Sequence, residues 1–333
     1  DGFQIDEKLD IFISDSVVDV TKSMGRAVEG FADIFAKLKP DVLVILGDRY
    51  EILAVAISAM VARIPIAHIH GGEITEGAID DSIRHALTKL SNFHFCAAEE
   101  YRRRIIQMGE NPDFVFNFGA PGLDLIHKIN TLSRAEIEEQ LDFKLLEKNL
   151  IISFHPVTVF SFEKMMESTQ ILFESLEKLE NVGLVFTAAN ADTFGEHINQ
   201  AIKDFVTRRS HAHFVKNLGS EKYFSLLEIM DGMVGNSSSG LIEAPVFNLP
   251  VVNYGSRQDG RLKANNIIDV KDFDRPALED ALQQVLSGNF KQNCGPIVSP
   301  YGLGEGSSYK IYECLKNMTL NKDSIKKFHD ISF

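Results

Sequence analysis

Long apolar runs are missing from this chain of 333 residues. Its longest hydrophobic stretches are far shorter than the roughly 18 to 20 residues that a membrane-spanning helix needs, so the sequence predicts no membrane partner. No secretory signal peptide is visible at the N-terminus. A cytoplasmic location is therefore expected.

Cysteine is also scarce. The three cysteines, Cys96, Cys294 and Cys314, lie far apart and form neither a CxxC pair nor a cluster with histidines. This pattern is typical of a protein from a reducing compartment, and it predicts neither a disulfide framework nor a structural zinc site. We expect the protein to need no metal ion and no other cofactor.

Positive charge is in deficit as well. The chain has 34 lysines and arginines against 47 aspartates and glutamates, a net charge of −13. An acidic balance disfavours nucleic acid and anionic membrane surfaces as partners. It leaves room for a small anionic ligand, because a few arginines and helix N-termini are enough to hold a phosphate.

Short apolar strands alternate with helical segments along the chain. "KPDVLVILGD", "IPIAHIH" and "NFHFCAA" are typical of buried strands, and each precedes a segment with helical spacing. The alternation pauses in the charged stretch 130–149 and starts again at "LIISFHP". The sequence predicts an α/β protein with two doubly wound, Rossmann-like domains facing a cleft, at residues 1–148 and 149–306.

Ligands of open parallel sheets bind beyond the carboxyl ends of the strands. In the first domain this rule selects Asp48 and Arg49, and then the segment 68–73. In the second domain it selects His155 and the segments 188–190 and 235–239. The predicted functional residues therefore follow the strands in both halves of the chain.

The segment "HIHGGEITEGAIDDSIRH" (68–85) is dense in titratable side chains. His68 and His70 alternate along a strand end, so at most one of them points into a given site. The pair Asp80-Asp81 suits a helix N-cap as well as catalysis, and Asp48 also suits a helix cap. These structural and functional interpretations stay open at this point.

The turn "GNSSSG" (235–240) follows a predicted strand and precedes a helical segment. Small residues with free backbone N–H groups at such a place suit a phosphate group. The turn is neither a Walker A motif, because the lysine is missing, nor a GxGxxG motif. Arg257, after the next strand, is placed to supply a countercharge.

Several motifs together resemble one enzyme family. "LGDRYEI", "IPIAHIHGGEITEGAIDDSIRHALTKLS", "SFHP", "GNSSSGLIEAP" and "GSRQDGR" are similar, in this order, to the hydrolysing UDP-N-acetylglucosamine 2-epimerases of bacterial sialic-acid biosynthesis. The resemblance implies a glycosyltransferase-B-type fold, with UDP held mainly by the C-terminal domain. It also implies that the helix 307–320 packs back on the N-terminal domain, whose first strand region is expected to be absent from this sequence.

The reaction implied by the resemblance eliminates UDP across C1 and C2 and then adds water, giving N-acetylmannosamine and UDP. Some relatives carry a catalytic glutamate at the position of His70, so either His70 or Glu73 is expected to take that role. The predicted catalytic residues are Asp48, Glu73, Asp80 and His155. The residues predicted to bind the UDP-sugar are Arg49, His68, His70, Asn236, Ser237, Ser238, Glu243 and Arg257.

Two alternatives to this function remain open in the sequence. One is the same chemistry on UDP-2,4-diacetamido-2,4,6-trideoxyglucose, in the legionaminic-acid pathway, because the motifs report shared chemistry rather than the substituents at C4 and C6. The other is a glycosyltransferase or a nucleotide-sugar-binding protein of the same fold, which would have no need of the dense segment 68–81. In each case a homodimer or homotetramer is expected.

Overall fold

The computed structural model describes residues 4–14, 16–76, 78–190, 192–318 and 326–331. The chain divides into two compact units. Asp1–Glu73, Ile79–Pro121 and Glu305–Phe333 form the first unit, and Ile74–Ala78 and Gly122–Gly304 form the second. Each unit has its own parallel sheet.

The regular elements up to residue 117 belong to the first unit. They are α1 (Val17–Leu38), β1 (Leu43–Leu46), α2 (Tyr50–Val61), β2 (Ile66–Ile69), α3 (Asp80–Leu90), β3 (Phe93–Cys96), α4 (Glu99–Gln107) and β4 (Val115–Asn117). Short 3-10 helices follow α4 and β4, at Pro112–Phe114 and Pro121–Leu125.

The remaining elements begin with a short helix that precedes the second sheet. They are α5 (Arg134–Leu141), β5 (Lys148–Ser153), α6 (Phe162–Glu177), β6 (Val182–Thr187), α7 (Gly195–Thr207), β7 (Ala212–Val215), α8 (Gly219–Ile229), β8 (Gly232–Gly235), α9 (Ser239–Ile242), β9 (Val251–Tyr254), β10 (Ile267–Val270), α10 (Arg275–Leu286), α11 (Asn289–Asn293) and α12 (Ser307–Asn317). Two further 3-10 helices lie at Ala244–Phe247 and Ser256–Gln258.

The first sheet has four parallel strands in the order β1-β2-β3-β4. On one face Ile45 and Ile66 pack with apolar side chains of α1, α2 and α3. On the other face Ala67 and Phe95 pack with Ile311 of α12. Helix α12, which the resemblance placed on the first domain, thus groups with the first unit; the end predicted for it, at residue 320, lies outside the described residues.

The second sheet has six parallel strands in the order β10-β9-β8-β5-β6-β7. The chain winds outward from β5 to β7, and then returns to the other side of β5 and winds outward from β8 to β10. This is the doubly wound Rossmann order, and its switch point lies between β5 and β8. Parallel strands with helices on both faces are what the apolar, non-alternating strand segments predicted.

The division into units differs from the predicted domain boundary at residue 148. Residues 122–147 group with the second unit. Just before α5, the backbone N–H of Leu132 donates to Ser225 Oγ of α8 at 2.9 Å, and Arg134 donates to the carbonyl of Leu145 at 2.8 Å. The first contact joins this segment to α8 of the second unit, against which α5 also packs. No local sequence pattern reports this packing.

Three expectations from the sequence concern the cysteines, metal ions and membrane-spanning helices. The three cysteines are free thiols, and Cys96 is buried in β3. Among the described residues, no group of three or more His, Cys, Asp or Glu side chains is arranged to hold a metal ion. Within that same part of the chain, every helix is too short or too polar to cross a membrane.

Candidate active site

The carboxyl edge of the first sheet brings two predicted segments together. Strands β1 and β2 pair in parallel with Leu46 beside Ile69, so the residues that follow these strands lie side by side. The backbone N–H of Gly47 donates to the carbonyl of Ile69 at 3.1 Å. Gly47 has a φ of 79°, a left-handed conformation that glycine adopts without strain, and it turns the chain so that Asp48 follows at the sheet edge.

His70 and Glu73 form a hydrogen-bonded pair at this edge. His70 Nδ1 lies 2.7 Å from Glu73 Oε1. The Glu73 side chain is only 1% exposed, whereas the His70 side chain is 17% exposed. Glu73 therefore lies behind the imidazole, and His70 reaches solvent. The sequence offered the two as alternatives for one role, and the structure makes them partners.

The backbone of His70 is strained, which indicates that its position matters. Its φ is 66°, in the left-handed region that is costly for a residue other than glycine. Its N–H donates to the carbonyl of Phe95 at 2.9 Å. Together with the bond to Glu73, this contact holds the imidazole at the end of β2.

Arg84, on α3, is a candidate site residue that sequence reasoning missed. Its side chain is 1% exposed, which is rare for an arginine. Its NH2 group donates to Asp48 Oδ2, and its NH1 group donates to the carbonyl of Glu73 at 3.1 Å and lies 3.5 Å from Asp81 Oδ1. The only sequence signal was the (i, i+3) spacing of Asp81 and Arg84 on a helix that follows a strand end.

The sequence allowed Asp80 or Asp81 to be the N-cap of α3, but neither of them caps this helix. The N-cap is Ile79, which makes no side-chain cap, and both aspartates lie in the first turn. Their charges there are favourable for the helix dipole. Asp81 pairs with Arg84 and lies 3.5 Å from Nε2 of His85. The predicted catalytic role of Asp80 stays a prediction.

His68 and Arg49, predicted to bind substrate, have structural contacts. His68 is fully buried, and its Nε2–H donates to the carbonyl of Gly47 at 2.8 Å. Arg49 Nε lies 3.1 Å from Glu51 Oε1 on the first turn of α2. His68 thus supports the turn that carries Asp48. Because the alternation along the strand allows at most one of the two histidines into the site, His70 is the candidate.

Burial of His68 predicts an acid-sensitive fold. Burial lowers the pKa of His68 to about 4, so the folded protein resists a proton that the unfolded chain accepts below pH 6.5. The free energy of unfolding should therefore fall as the pH falls from 7 toward 4. By pH 5 the protonation of His68 in the unfolded chain should have lowered the free energy of unfolding by about 2 kcal/mol. The measurement is the difference in pH dependence between wild type and His68→Gln in urea unfolding.

A matched control for this measurement is His211→Gln, which removes an exposed histidine. The control should keep the wild-type pH dependence. If His68→Gln also kept it, the buried imidazole would not be the source of the acid sensitivity.

The switch point of the second sheet carries a second group of predicted residues. Asn236 follows β8, and its side chain bridges to the turn after β5: Oδ1 accepts from the N–H of His155 at 2.7 Å, and Nδ2 donates to the carbonyl of His155 at 2.9 Å. Gly235 must be glycine, because a Cβ there would lie 2.0 Å from the Ser153 carbonyl oxygen. Asn236, which is fully buried, shapes the turn.

His155 is held as a neutral imidazole. Its Nδ1 accepts from the backbone N–H of Asn190 at 3.1 Å, and its Nε2 lies 3.4 Å from Ser153 Oγ. Burial, with the nearby Arg257 charge, lowers the pKa of His155 to about 3. An imidazole with its acceptor nitrogen engaged is suited to donate a hydrogen bond through Nε2, rather than to act as a base.

Arg257 lies beside this turn. Its NH1 group donates to the carbonyl of Asn236 at 3.3 Å, and Gln258 Nε2 donates to the same oxygen at 2.7 Å. Arg257 NH2 lies 3.8 Å from Asp192 Oδ2. The sheet edge therefore places a guanidinium where a phosphate at the switch point would find a countercharge.

The helix that follows the serine turn after β8 is shorter than the helices whose N-termini typically bind phosphate. Ser237 Oγ accepts from the N–H of Ser239 at 3.3 Å, and the helix that begins at Ser239 has a single turn. Glu243 caps this turn at its C-terminal end. Burial and the Glu243 charge raise the pKa of Tyr223, whose hydroxyl lies 2.5 Å from Ser239 Oγ; the sequence gave no signal for Tyr223.

Comparison with known proteins gives consistent matches over nearly the whole chain. The family model described as UDP-N-acetylglucosamine 2-epimerase matches residues 1–316. A GDP/UDP-N,N′-diacetylbacillosamine 2-epimerase (hydrolyzing) from Campylobacter jejuni subsp. jejuni serotype O:2 is 41% identical, over 99% of this chain and 85% of the relative. A UDP-N,N′-diacetylbacillosamine 2-epimerase (hydrolyzing) from Legionella pneumophila subsp. pneumophila is 36% identical, over 92% of this chain and 79% of the relative.

A solved structure supports the fold. The crystal structure of UDP-GlcNAc 2-epimerase from Neisseria meningitidis bound to UDP-GlcNAc matches with a TM-score of 0.76 at 18% identity, over 90% of this chain and 82% of that one. The predicted fold class, two Rossmann-like halves of the glycosyltransferase-B type, is confirmed by this likeness and by the two parallel sheets. The doubly wound order predicted for both sheets is present in the second, whereas the described strands of the first sheet follow one another in sequence order.

Proposed function

The chain belongs to the UDP-N-acetylglucosamine 2-epimerase family, among its hydrolysing members, and we propose that it releases UDP and a 2-epimeric free sugar from a UDP-2-acetamido sugar. The reaction removes the C2 proton, expels UDP from C1 to leave a C1–C2 double bond, and then adds water across that bond. The observation that supports this best is the His70–Glu73 pair beside Asp48 at neighbouring strand ends.

We propose UDP-N,N′-diacetylbacillosamine, which is UDP-2,4-diacetamido-2,4,6-trideoxyglucose, as the substrate. The relatives from Campylobacter and Legionella, at 41% and 36% identity, carry this sugar in their names. UDP-N-acetylglucosamine, the substrate first expected from the sequence, is the second candidate, and the description of the family model favours it.

The first unit supplies the proton chemistry in this proposal. The C2 proton of the sugar is not acidic, so its removal needs a positioned base. His70 suits that role, because Glu73 accepts from Nδ1–H, so that Nε2 is the ring nitrogen that can take a proton. Asp48, ionised beside Arg84, suits the positive charge that develops at C1 and the water that later attacks there. Asp80 is the candidate that returns a proton to C2.

The second unit holds the nucleotide in this proposal. The diphosphate lies against Ser237 and Ser238, Arg257 faces its negative charge, and Glu243 reaches the ribose hydroxyls. His155 donates a hydrogen bond from its neutral imidazole. The guanidinium of Arg257, near the departing diphosphate, stabilises the charge that develops during elimination.

The nucleotide site can be tested with the double variant Ser237→Ala/Ser238→Ala. Two hydroxyl hydrogen bonds to a charged diphosphate would be lost, so UDP should bind about 10- to 100-fold more weakly in titration calorimetry. Ser287→Ala, at the end of α10, is the matched control and should bind UDP like wild type. If the double variant and wild type bound UDP with equal affinity, the diphosphate would not bind at this turn.

The substrate is tested by comparing the two nucleotide sugars side by side and identifying the products by NMR. We expect kcat/KM to be at least about tenfold higher on the diacetamido sugar, because a site built for the C4 amide leaves polar groups unpaired when that amide is missing. A preference for UDP-N-acetylglucosamine would establish the second candidate. Turnover that requires an acceptor sugar would instead indicate a transferase.

A further inference from the structure

Arg84 joins three segments of the first unit that are separate in the sequence. Its guanidinium donates to the Asp48 carboxylate after β1 and to the Glu73 carbonyl after β2, and it lies near Asp81 on its own helix. It is among the largest fully buried side chains of the described residues. A buried guanidinium keeps its place only when its charge is matched and its N–H groups are satisfied.

The shape of the guanidinium makes this contact directional. Its N–H groups form a rigid, planar fork, so a carboxylate and a carbonyl bound to one arginine are held at a fixed separation. The carbonyl belongs to Glu73, the residue whose carboxylate orients His70. A change in the position of Arg84 would therefore move Asp48 and the His70–Glu73 pair relative to each other.

We propose that Arg84 is a positioning residue of the active site, which holds Asp48 ionised and sets its place relative to the His70–Glu73 pair. This inference rests on the proposed elimination and hydration reaction. Misplacement of reacting groups by about 1 Å can cost about 100-fold in rate. The energetic consequence of losing Arg84 should thus appear in turnover as well as in folding.

A simple structural ion pair is the competing explanation, and the pH dependence of turnover distinguishes the two. A positive charge beside a carboxylate favours its ionised form. Loss of Arg84 should move the acidic limb of the pH–kcat profile to higher pH, by about one unit or more. Asp81 and His85 also face Arg84, so the variants Asp81→Asn and His85→Gln are measured alongside.

The experiment compares Arg84→Gln and Arg84→Lys with wild type in sugar release across the pH range. Arg84→Gln should lower kcat about 100-fold at pH 7 with KM changed only a fewfold, and its acidic limb should shift upward. Arg84→Lys restores the charge but not the fork, so the limb should return to the wild-type position while kcat stays about tenfold low.

Arg102→Gln is the matched control, because Arg102 of α4 donates to the carbonyls of Val115 and Pro112 away from the site. It should lose stability without a shift of the limb. An unshifted limb in Arg84→Gln, with a loss of kcat no greater than that of Arg102→Gln, would overturn the proposal. If Arg84→Gln does not fold, wild-type kcat in Arg84→Lys would overturn it. If wild type itself released no sugar, that result would instead contradict the proposed function.

Discussion

Asp48→Asn is expected to lower kcat for sugar release by about 10²- to 10⁴-fold, with KM within a fewfold of wild type. The substitution keeps the size of the side chain but removes the negative charge beside the reacting carbon. Asp48 is 19% exposed, so it can reach a bound sugar, and its loss of charge is not a loss of packing. The measurement is steady-state release of UDP at saturating nucleotide sugar.

The control for this variant is Asp81→Asn, because Asp81 also pairs with the buried Arg84. Both variants reduce the negative charge around the same guanidinium, so both should lose some thermal stability. Only Asp48→Asn should lose most of its turnover. Activity within a fewfold of wild type in Asp48→Asn, or equal losses in both variants, would remove Asp48 from the reaction.

His70→Gln is expected to have an effect of the same size, about 10²- to 10⁴-fold on kcat, because the variant has no group that takes the C2 proton. Glu73→Gln should cost less, about 10²-fold, since the amide still accepts a hydrogen bond from the imidazole but lacks the negative charge of the carboxylate. The order of these two losses decides which residue is the base. A larger loss in Glu73→Gln, with His70→Gln nearly active, would assign the base to Glu73.

His85→Gln is the matched control for His70→Gln. His85 lies on α3 in the same unit and is paired with Asp81, but it has no place in the proposed reaction. Its variant should keep wild-type turnover. A comparable loss there would mean that changes anywhere along this segment disturb the site, and the comparison of His70 with Glu73 would then have to be made at matched stability.

The fold could be predicted from the sequence because its signals are local. Apolar strand segments without polar alternation, each followed by a helical pattern, lead directly to parallel sheets with covered faces. The grouping of residues 122–147 with the second unit could not be predicted. It depends on contacts such as that of Leu132 with Ser225, which join residues far apart in the sequence.

The site was partly predictable for the same reason. The rule that ligands bind beyond the carboxyl ends of parallel strands selected Asp48, His70 and Glu73, and the structure brings these residues to one sheet edge. The hydrogen bond between His70 and Glu73 could not be predicted, because it depends on which of the two side chains is buried. Arg84 was missed because an arginine on an amphipathic helix usually lies in solvent.

The most direct test of hydrolysing epimerisation is to run the reaction in D₂O with UDP-N,N′-diacetylbacillosamine and UDP-N-acetylglucosamine and to follow it by ¹H and ³¹P NMR. We predict that UDP and the free 2-epimeric sugar appear in equal amounts, and that the sugar carries deuterium at C2, because the proton lost in elimination is replaced from solvent. A released sugar that keeps its original C2 proton or configuration, or an epimerised sugar still attached to UDP, would contradict the mechanism.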